Sequence, residues 1–440
     1  MTDTMKHSLM FAVVAVLILL EGLTDWSFFS GSWNSSLVIL NMGLISAIMA
    51  LGVNLQWGFA GLFNVGIMGF TALGGLAVVL TAMPPTPGAW SAGGPGVLMA
   101  MVMGALTVVS AVAVTKMVPK GRLRALLILA ILIIGFVIYR ALFDPSIEAI
   151  EAINPALEGN IGGLNWPVIL SWPVGGLLAA GAAWLIGKTA LGLRSDYLAI
   201  ATLGIAEIII AILKNEDWLS RGVKNVVGLP RPVPYEVDLQ NDPTYVEWFA
   251  GLGMDPVLGS TLYVKLGYAG LFSLVLIVLL WMAQMALKSP WGRMMRAIRD
   301  NEVAAQAMGK NVTKRHLQIF VLGSAICGIA GAMMTSLDGQ LTPGTYNPLR
   351  FTFLIWVMVI VGGSGNNFGS VLGGFLIWFL WIKVEPMSLE LITLLTSGLE
   401  EGSFLRGHLM ENAAHMRLFT MGLILLLVLR FSPRGLIPEK

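Results

Sequence analysis

The chain has 440 residues, of which only 27 are Lys or Arg and 25 are Asp or Glu, where a soluble protein of that length carries about 110 charged side chains. Hydrophobic residues make up 56% and the mean hydropathy is +0.79, which excludes a soluble protein; at about 20 apolar residues per crossing the chain has room for roughly a dozen spans. A net charge of +2 argues against a nucleic-acid partner, and the single cysteine, Cys327, excludes an internal disulfide.

In chain order, apolar runs of spanning or near-spanning length fall at 8–21, 36–55, 57–82, 97–115, 124–143, 168–187, 196–213, 263–287, 317–337, 350–383 and 416–430. The first sits behind Lys6 and His7 like a signal peptide, but Glu21, Asp25 and Trp26 follow without a small-residue cleavage site, so it reads as a retained helix. The uncharged connection at Gln56 allows a re-entrant segment between the second and third runs. The tenth run is interrupted by Gly362, Gly363, Ser364, Gly365 and Asn366, which favour neither helix nor lipid contact, and splits into a helical hairpin.

The pattern predicts an all-α polytopic membrane protein of about ten to twelve transmembrane helices. A single domain over 1–440 would hold an N-terminal helix at 8–21, a first helical half at 36–187, and a second at 196–430 with a polar loop at 288–316. Two glycine-rich stretches, Trp57–Phe70 and Val361–Phe375, lie in the two halves and pair glycines with asparagines, the pattern that points to an inverted repeat built on broken helices, although glycine is also common in membrane helices generally.

Sidedness follows from Lys and Arg, which accumulate in cytoplasmic loops. The segment Lys288–His316 carries seven Lys and Arg residues against Asp300 and Glu302 and marks the inside; Lys116–Arg124, Lys188 with Arg194, and Arg430, Arg434 and Lys440 fall on the same side. Acid-rich stretches at 144–158, 214–260 and 385–411 fall outside, including Glu158, Glu400 and Glu401. Both termini are then cytoplasmic.

Enzymatic motifs are lacking. Gly181–Thr189 ends in Gly-Lys-Thr but has five residues between its glycines where a nucleotide loop needs four, and no strand precedes it. His7, His316, His408 and His415 form no HExxH, and one cysteine cannot build a Cys-type metal site. No cofactor is expected.

Pro290–Gly309 predicts one short amphipathic helix outside the membrane, started by Pro290 and ended by Gly309, with Met294, Ile298, Ala305 and Met308 near one face and Arg293, Arg296 and Arg299 beside it. Such a helix either lies on anionic lipid headgroups or is a peg seated in a partner's groove, with Ala304, Ala305 and Ala307 as the small residues where it seats. Glu207, near the middle of the run at 196–213, should face the bundle interior or a water-filled path, because a lipid-facing carboxylate costs about 3 kcal/mol. It either bonds a neighbouring helix or lines the path. Asn41, Asn54, Asn64, Asn366, Asn367, Gln56, Gln284 and Gln318 are cheaper to bury and serve as helix glue or as ligands.

These residues resemble a known family, the membrane-spanning permease subunits of ABC importers for branched-chain and other hydrophobic amino acids. Leu51–Phe70 is similar to the family's early helix pair. Arg194–Ile210 with Gly228–Pro232 is similar to its central block, and Ser289–Val312 to its cytoplasmic coupling loop, where Glu302, Ala304, Ala305 and Gly309 echo the importer pattern. Val359–Phe375 with Phe431–Pro438 (FSPRGLIP) completes the likeness.

The resemblance implies that Arg293–Gly309, with Arg293, Arg296, Arg299 and Glu302, docks on cytoplasmic ATPase subunits. It also implies a second, related permease subunit, a periplasmic solute-binding protein, an amino acid substrate and a bacterial inner-membrane location. Glu207, Thr202, Asn64 and Asn366 are the candidates for the translocation path. The sequence departs from the family's pattern at Ile67, at Ile210 and over 116–160. Two alternatives remain: an importer subunit for urea, an amide or another small solute, and an ion-coupled secondary transporter. An integral-membrane enzyme on lipid substrates would need clustered acids or histidines, which cannot be assembled here.

Overall fold

The computed structural model describes residues 3–26, 29–154, 159–193, 195–398 and 403–439; Arg194, Glu158, Glu400, Glu401 and Lys440, used above for sidedness, lie outside the described residues. The protein is a helical bundle. Ten helices among the described residues are long and apolar enough to cross a membrane, and two shorter apolar ones accompany them.

The helices run α1 (Asp3–Leu23), α2 (Trp33–Ala60), α3 (Ile67–Ala82), α4 (Pro87–Met117), α5 (Arg122–Glu151), α6 (Val168–Ala190), α7 (Ser195–Asn215) and the short α8 (Asp217–Ser220). After them come α9 (Glu236–Asn241), α10 (Pro243–Gly251), α11 (Pro256–Lys288), α12 (Pro290–Asp300) and α13 (Glu302–Ala307). The chain continues with α14 (Val312–Asp338), α15 (Leu354–Gly362), α16 (Asn367–Leu395), α17 (Phe404–Glu411) and α18 (Met416–Phe431). Gly181–Thr189 is an ordinary stretch of α6.

Helix α2 is the axis of the bundle: nearly all of it is buried, against α1, α11, α14, α15 and α16. Helices α3, α6 and α14 form a second close-packed group that glycines make possible. A Cβ on Gly74 would lie 1.9 Å from the Gly328 carbonyl oxygen, and one on Gly328 would lie 2.5 Å from that of Gly175. Backbones this close are the usual basis of helix association in lipid, where burying apolar side chains gains little. A two-residue ladder, Val226–Val227 antiparallel to Gln340–Leu341, closes one end of the bundle. Nearby α1 is pinned to α16 by an ion pair of Glu21 with Lys383 (2.5 Å), both buried, and Ser35 adds a bond to Glu21 (2.7 Å).

The expected hairpin in the tenth run is present, with α15 ending at Gly362 and α16 starting at Asn367. A π-helical turn, Leu349–Phe353, precedes α15. The other break lies elsewhere than expected. Helix α2 runs through Gln56 to Ala60 and ends on Gly61 (φ +68°), and the reversal is the non-helical stretch 61–66. Gln56 does not mark a connection because its side chain is fully engaged inside the bundle, donating to the Phe320 carbonyl (2.8 Å) and to Ser324 (3.0 Å).

Candidate functional site

Three features converge at the end of the bundle opposite the ladder: the helices α12 and α13, the two glycine breaks, and the segment 432–439 that follows α18. Pro290 starts α12, and Gly292 lets it turn tightly off α11, since a Cβ there would lie 2.3 Å from the Leu287 carbonyl oxygen. Met295 and Ile298 are buried beneath α12, and Trp291 donates to Gln318 of α14 (3.1 Å).

The single helix expected over 290–309 is in fact two. Asn301 leaves the helical region (φ −155°, ψ 96°) and its side chain accepts the Ala304 N–H (2.9 Å), capping α13. Asparagine favours such a cap over a helix interior, and Gly309 (φ +76°) ends the unit. The faces also differ from expectation. Ala305 is buried with Ile298 and Val312, so it is a packing residue, while Ala304 and Ala307 remain exposed. Met308 faces out at 68% exposure beside Val303 at 76%, giving α13 an apolar outer tip. Glu302 is exposed and accepts from Gln306 (3.2 Å).

The arginines divide. Arg293 is exposed, Arg296 is half-buried, and Arg299 turns inward, pairing with Asp300 (3.1 Å) and Glu439 (2.8 Å) and donating to the Gly58 carbonyl. Burial works against its charge, but the carboxylates of Glu439 and Asp300 outweigh this and hold the guanidinium above its ordinary pKa. Glu439 lay outside every sequence-based expectation; the only signal near it was FSPRGLIP.

Above this layer the last turns of α2 meet the α15–α16 break. Asn54 donates to Asn367 (3.0 Å) and accepts the Gly365 N–H (2.9 Å), and a Cβ on Gly58 would lie 2.4 Å from the Gly365 nitrogen. Asn366 caps α16 by accepting the Phe368 N–H (3.0 Å) and donates to the Pro438 carbonyl (3.1 Å). It therefore sits at the mouth of the break rather than deep in the bundle.

The stretch 61–66 is irregular backbone inside the bundle, which is tolerated in a membrane only where protein or water satisfies it. Protein does so here. Asn64 donates to Gln56 (2.9 Å) and accepts the Gly66 N–H (2.9 Å), Thr202 of α7 accepts the Val65 N–H (3.1 Å), and Trp356 donates to the Asn64 carbonyl (3.0 Å). Thr352 in the π-helical turn donates to the Val65 carbonyl (3.1 Å). The candidates Asn64 and Thr202 are thus brought together through Val65.

Beside this knot opens an apolar groove of about 620 Å³, lined by Val65, Leu203, Thr352, Phe353, Trp356 and Ile360. Glu207 lies one turn further along α7. It is exposed, not interior, and among the described residues its side chain makes no hydrogen bond or ion pair; Gly204 and Ala211 share its face. The cost of a carboxylate against lipid predicted an interior position; Glu207 lies instead on a face that the chain leaves open.

A family model described as "Branched-chain amino acid transport system / permease component" matches residues 146–429. The chain belongs to this permease family. It is 30% identical over 235 residues to the high-affinity branched-chain amino acid transport system permease protein LivM of Escherichia coli, covering 52% of this chain and 53% of that one. To the probable branched-chain amino acid transport permease protein LivM of Methanocaldococcus jannaschii it is 26% identical over 301 residues, covering 66% and 74%. The ribose import permease protein RbsC of Haemophilus influenzae is 26% identical over 257 residues, covering 57% and 72%. The chain thus spans about half the length of the Escherichia coli relative. No solved structure matches.

As a member of this permease family the chain is a multi-pass membrane protein. Thr202, Glu207, α12, α13 and Asn366 fall within the matched residues, whereas Asn64 and most of the α4–α5 hairpin precede them and 432–439 follows them.

Proposed function

We propose that this chain is a membrane-spanning permease subunit of an ABC importer that carries branched-chain or related amino acids inward. Separate ATPase subunits would drive it and a periplasmic binding protein would feed it. The observation that carries this reading is the pair α12–α13, strongly amphipathic and exposed, seated directly below two helix breaks in a chain of the permease family. An exposed Arg293 and an apolar tip at Val303 and Met308 supply the charge and the apolar anchor that a partner's groove would seat.

In this reading the α12 end of the bundle is cytoplasmic, as its basic loops demand, and both termini lie on that side. ATPase closure displaces α12, the breaks transmit the displacement, and the path opens alternately to each side. A second permease subunit covers the α7 face, so that Glu207 borders a wet path between the two subunits rather than lipid. The apolar groove beside Thr202 favours an aliphatic side chain over urea or an amide.

Gentle detergent extraction of the chain should co-purify ATPase subunits and a second permease, and proteoliposomes of that complex should take up labelled leucine only with ATP and the binding protein. Uptake by the chain alone under an ion gradient would replace this reading with a secondary transporter. Arg293→Ala with Arg296→Ala should weaken ATPase co-purification, and uptake equal to wild type in that variant would sink the docking assignment. A cysteine at position 303, in a Cys327→Ser background, should be labelled from the cytoplasmic side.

A further inference from the structure

We infer that Arg299 and the segment 432–439 form a strap that ties the movement of α12 to the end of α2 and to the α15–α16 break, with Glu439 as a positioning residue for coupling; this rests on the importer reading above. The segment follows α18 and crosses the bundle end beneath the α15–α16 turn. Leu436 and Ile437 donate their N–H groups to the carbonyls of Val361 and Gly362, each at 2.9 Å, and Ile437 is fully buried. Glycines allow this contact. A Cβ on Gly363 would lie 2.2 Å from the Ile437 carbonyl oxygen, and one on Gly435 would lie 2.3 Å from the Gly363 Cα. Asn366 adds its bond to the Pro438 carbonyl. The segment is therefore welded to the break between α15 and α16.

Its far end reaches the coupling unit. Glu439 accepts from Arg299 at 2.8 Å and rests against the same α15–α16 break, where a Cβ on Gly365 (φ +82°) would meet its Oε2 at 2.7 Å. The same Arg299 nitrogen donates to the Gly58 carbonyl near the end of α2, and Gly58 in turn abuts Gly365. One guanidinium on α12 thus holds α2 directly and the α15–α16 turn through Glu439. Charge-assisted bonds of this kind are short and strong, and they hold direction better than apolar contact.

The surroundings suit a moving joint. A polar cavity of about 820 Å³ lies on one side of Arg299, between α12, Ser364 and Arg434. Another of about 470 Å³ lies on the other side, bounded by Leu62, Leu193, Glu302 and His316. A brace meant only to stiffen the bundle would be packed like its core; this one is flanked by space into which α12 can swing.

Two measurements test the strap. In the purified chain, Glu439→Gln should speed hydrogen exchange at the Leu436 and Ile437 amides by about tenfold, as loss of one charged hydrogen bond implies. Arg296→Gln, on the same cavity but with no bond to the segment, should leave those two amides as they are. Wild-type exchange in Glu439→Gln overturns the hold.

In the reconstituted complex, the readout is solute carried per ATP hydrolysed. Glu439→Gln and Arg299→Gln should each lower that ratio by about threefold or more, and the double variant should be no worse than the worse single, as residues acting as one device are non-additive. An unchanged ratio, or losses that multiply, overturns the coupling role. Absence of ATP-driven uptake by the wild-type complex would take down the importer reading and the coupling role with it, while the exchange result would still stand for or against the Arg299–Glu439 hold.

Discussion

The glycine-broken centre of the bundle and its α4–α5 hairpin have similar apolar content but are built on different rules. In the centre, α2 is buried almost throughout and its neighbours approach until backbones touch; in the hairpin only a few residues of each helix are buried, and Leu, Ile and Val point outward along its length. The hairpin helices pack mainly on each other and reach the rest of the chain through Trp218 of α8, whose indole meets Phe143 edge-on and whose backbone N–H donates to Glu151 (3.2 Å). What separates the two regions is how much backbone and buried amide each must satisfy. In a bilayer, apolar surface is content against lipid, so polar satisfaction and close approach of small residues define the core.

The largest expected contrast comes from glycines. A Cβ on Gly373 would lie 1.9 Å from the Met358 carbonyl oxygen and 3.0 Å from Gly362, whereas one on Gly104 in α4 would first meet the Tyr139 ring at 3.4 Å. Gly373→Leu should separate α15 from α16 and cost more than about 4 kcal/mol, read as loss of monodisperse protein on size exclusion. Gly104→Ala should change the thermal midpoint in detergent by no more than about 2 °C. Equal tolerance at both sites would break the distinction.

Next in size is the amide knot. Asn54→Leu removes the partners of the Gly365 N–H and of Asn367 at once, leaving both buried, and should destabilise by about 2 kcal/mol in chemical unfolding. On the open face the order of effects reverses. Glu207 has no partner among the described residues, so Glu207→Gln should leave stability within about 0.5 kcal/mol. Uptake should fall by about tenfold if the carboxylate borders the path, a loss of about 1.4 kcal/mol at the barrier. Wild-type uptake would remove Glu207 from any necessary role.

How much of this was written locally in the chain depends on how local each cause is. The α15–α16 break was legible because five consecutive residues from Gly362 to Asn366 all disfavour helix. The break after α2 was displaced by five residues, since Gln56 looks like a polar connection until its partners Phe320 and Ser324, more than 260 positions away, come into view. The division of α12 from α13 was hidden by good helix formers on both sides of Asn301, whose cap bond decided locally against a composition that favours helix. Arg299 was singled out for its charge, but its partner is 140 residues away. A contact of that range has no periodicity to betray it. The inward turn of Ala305 and the exposure of Glu207 depend on which surfaces the fold covers and which it leaves open, which spacing within a helix does not encode.

Apolar truncation sharpens the comparison most, because it sets a large cost in the centre against almost none on the hairpin. Ile48 of α2 is fully buried and Leu129 of α5 is 55% exposed. Ile48→Ala opens a cavity among close-packed helices and should cost about 2–5 kcal/mol. Leu129→Ala exchanges side-chain contact with lipid for contact with lipid, and should cost under about 0.5 kcal/mol in a bilayer of matched thickness. Transferred to detergent the pair should keep its order, because the Ile48 cavity is internal and independent of the solvent. If instead Leu129→Ala proved as costly as Ile48→Ala, the outer face of the hairpin would be packed against protein in the membrane, and the hairpin would belong to the core of a larger assembly.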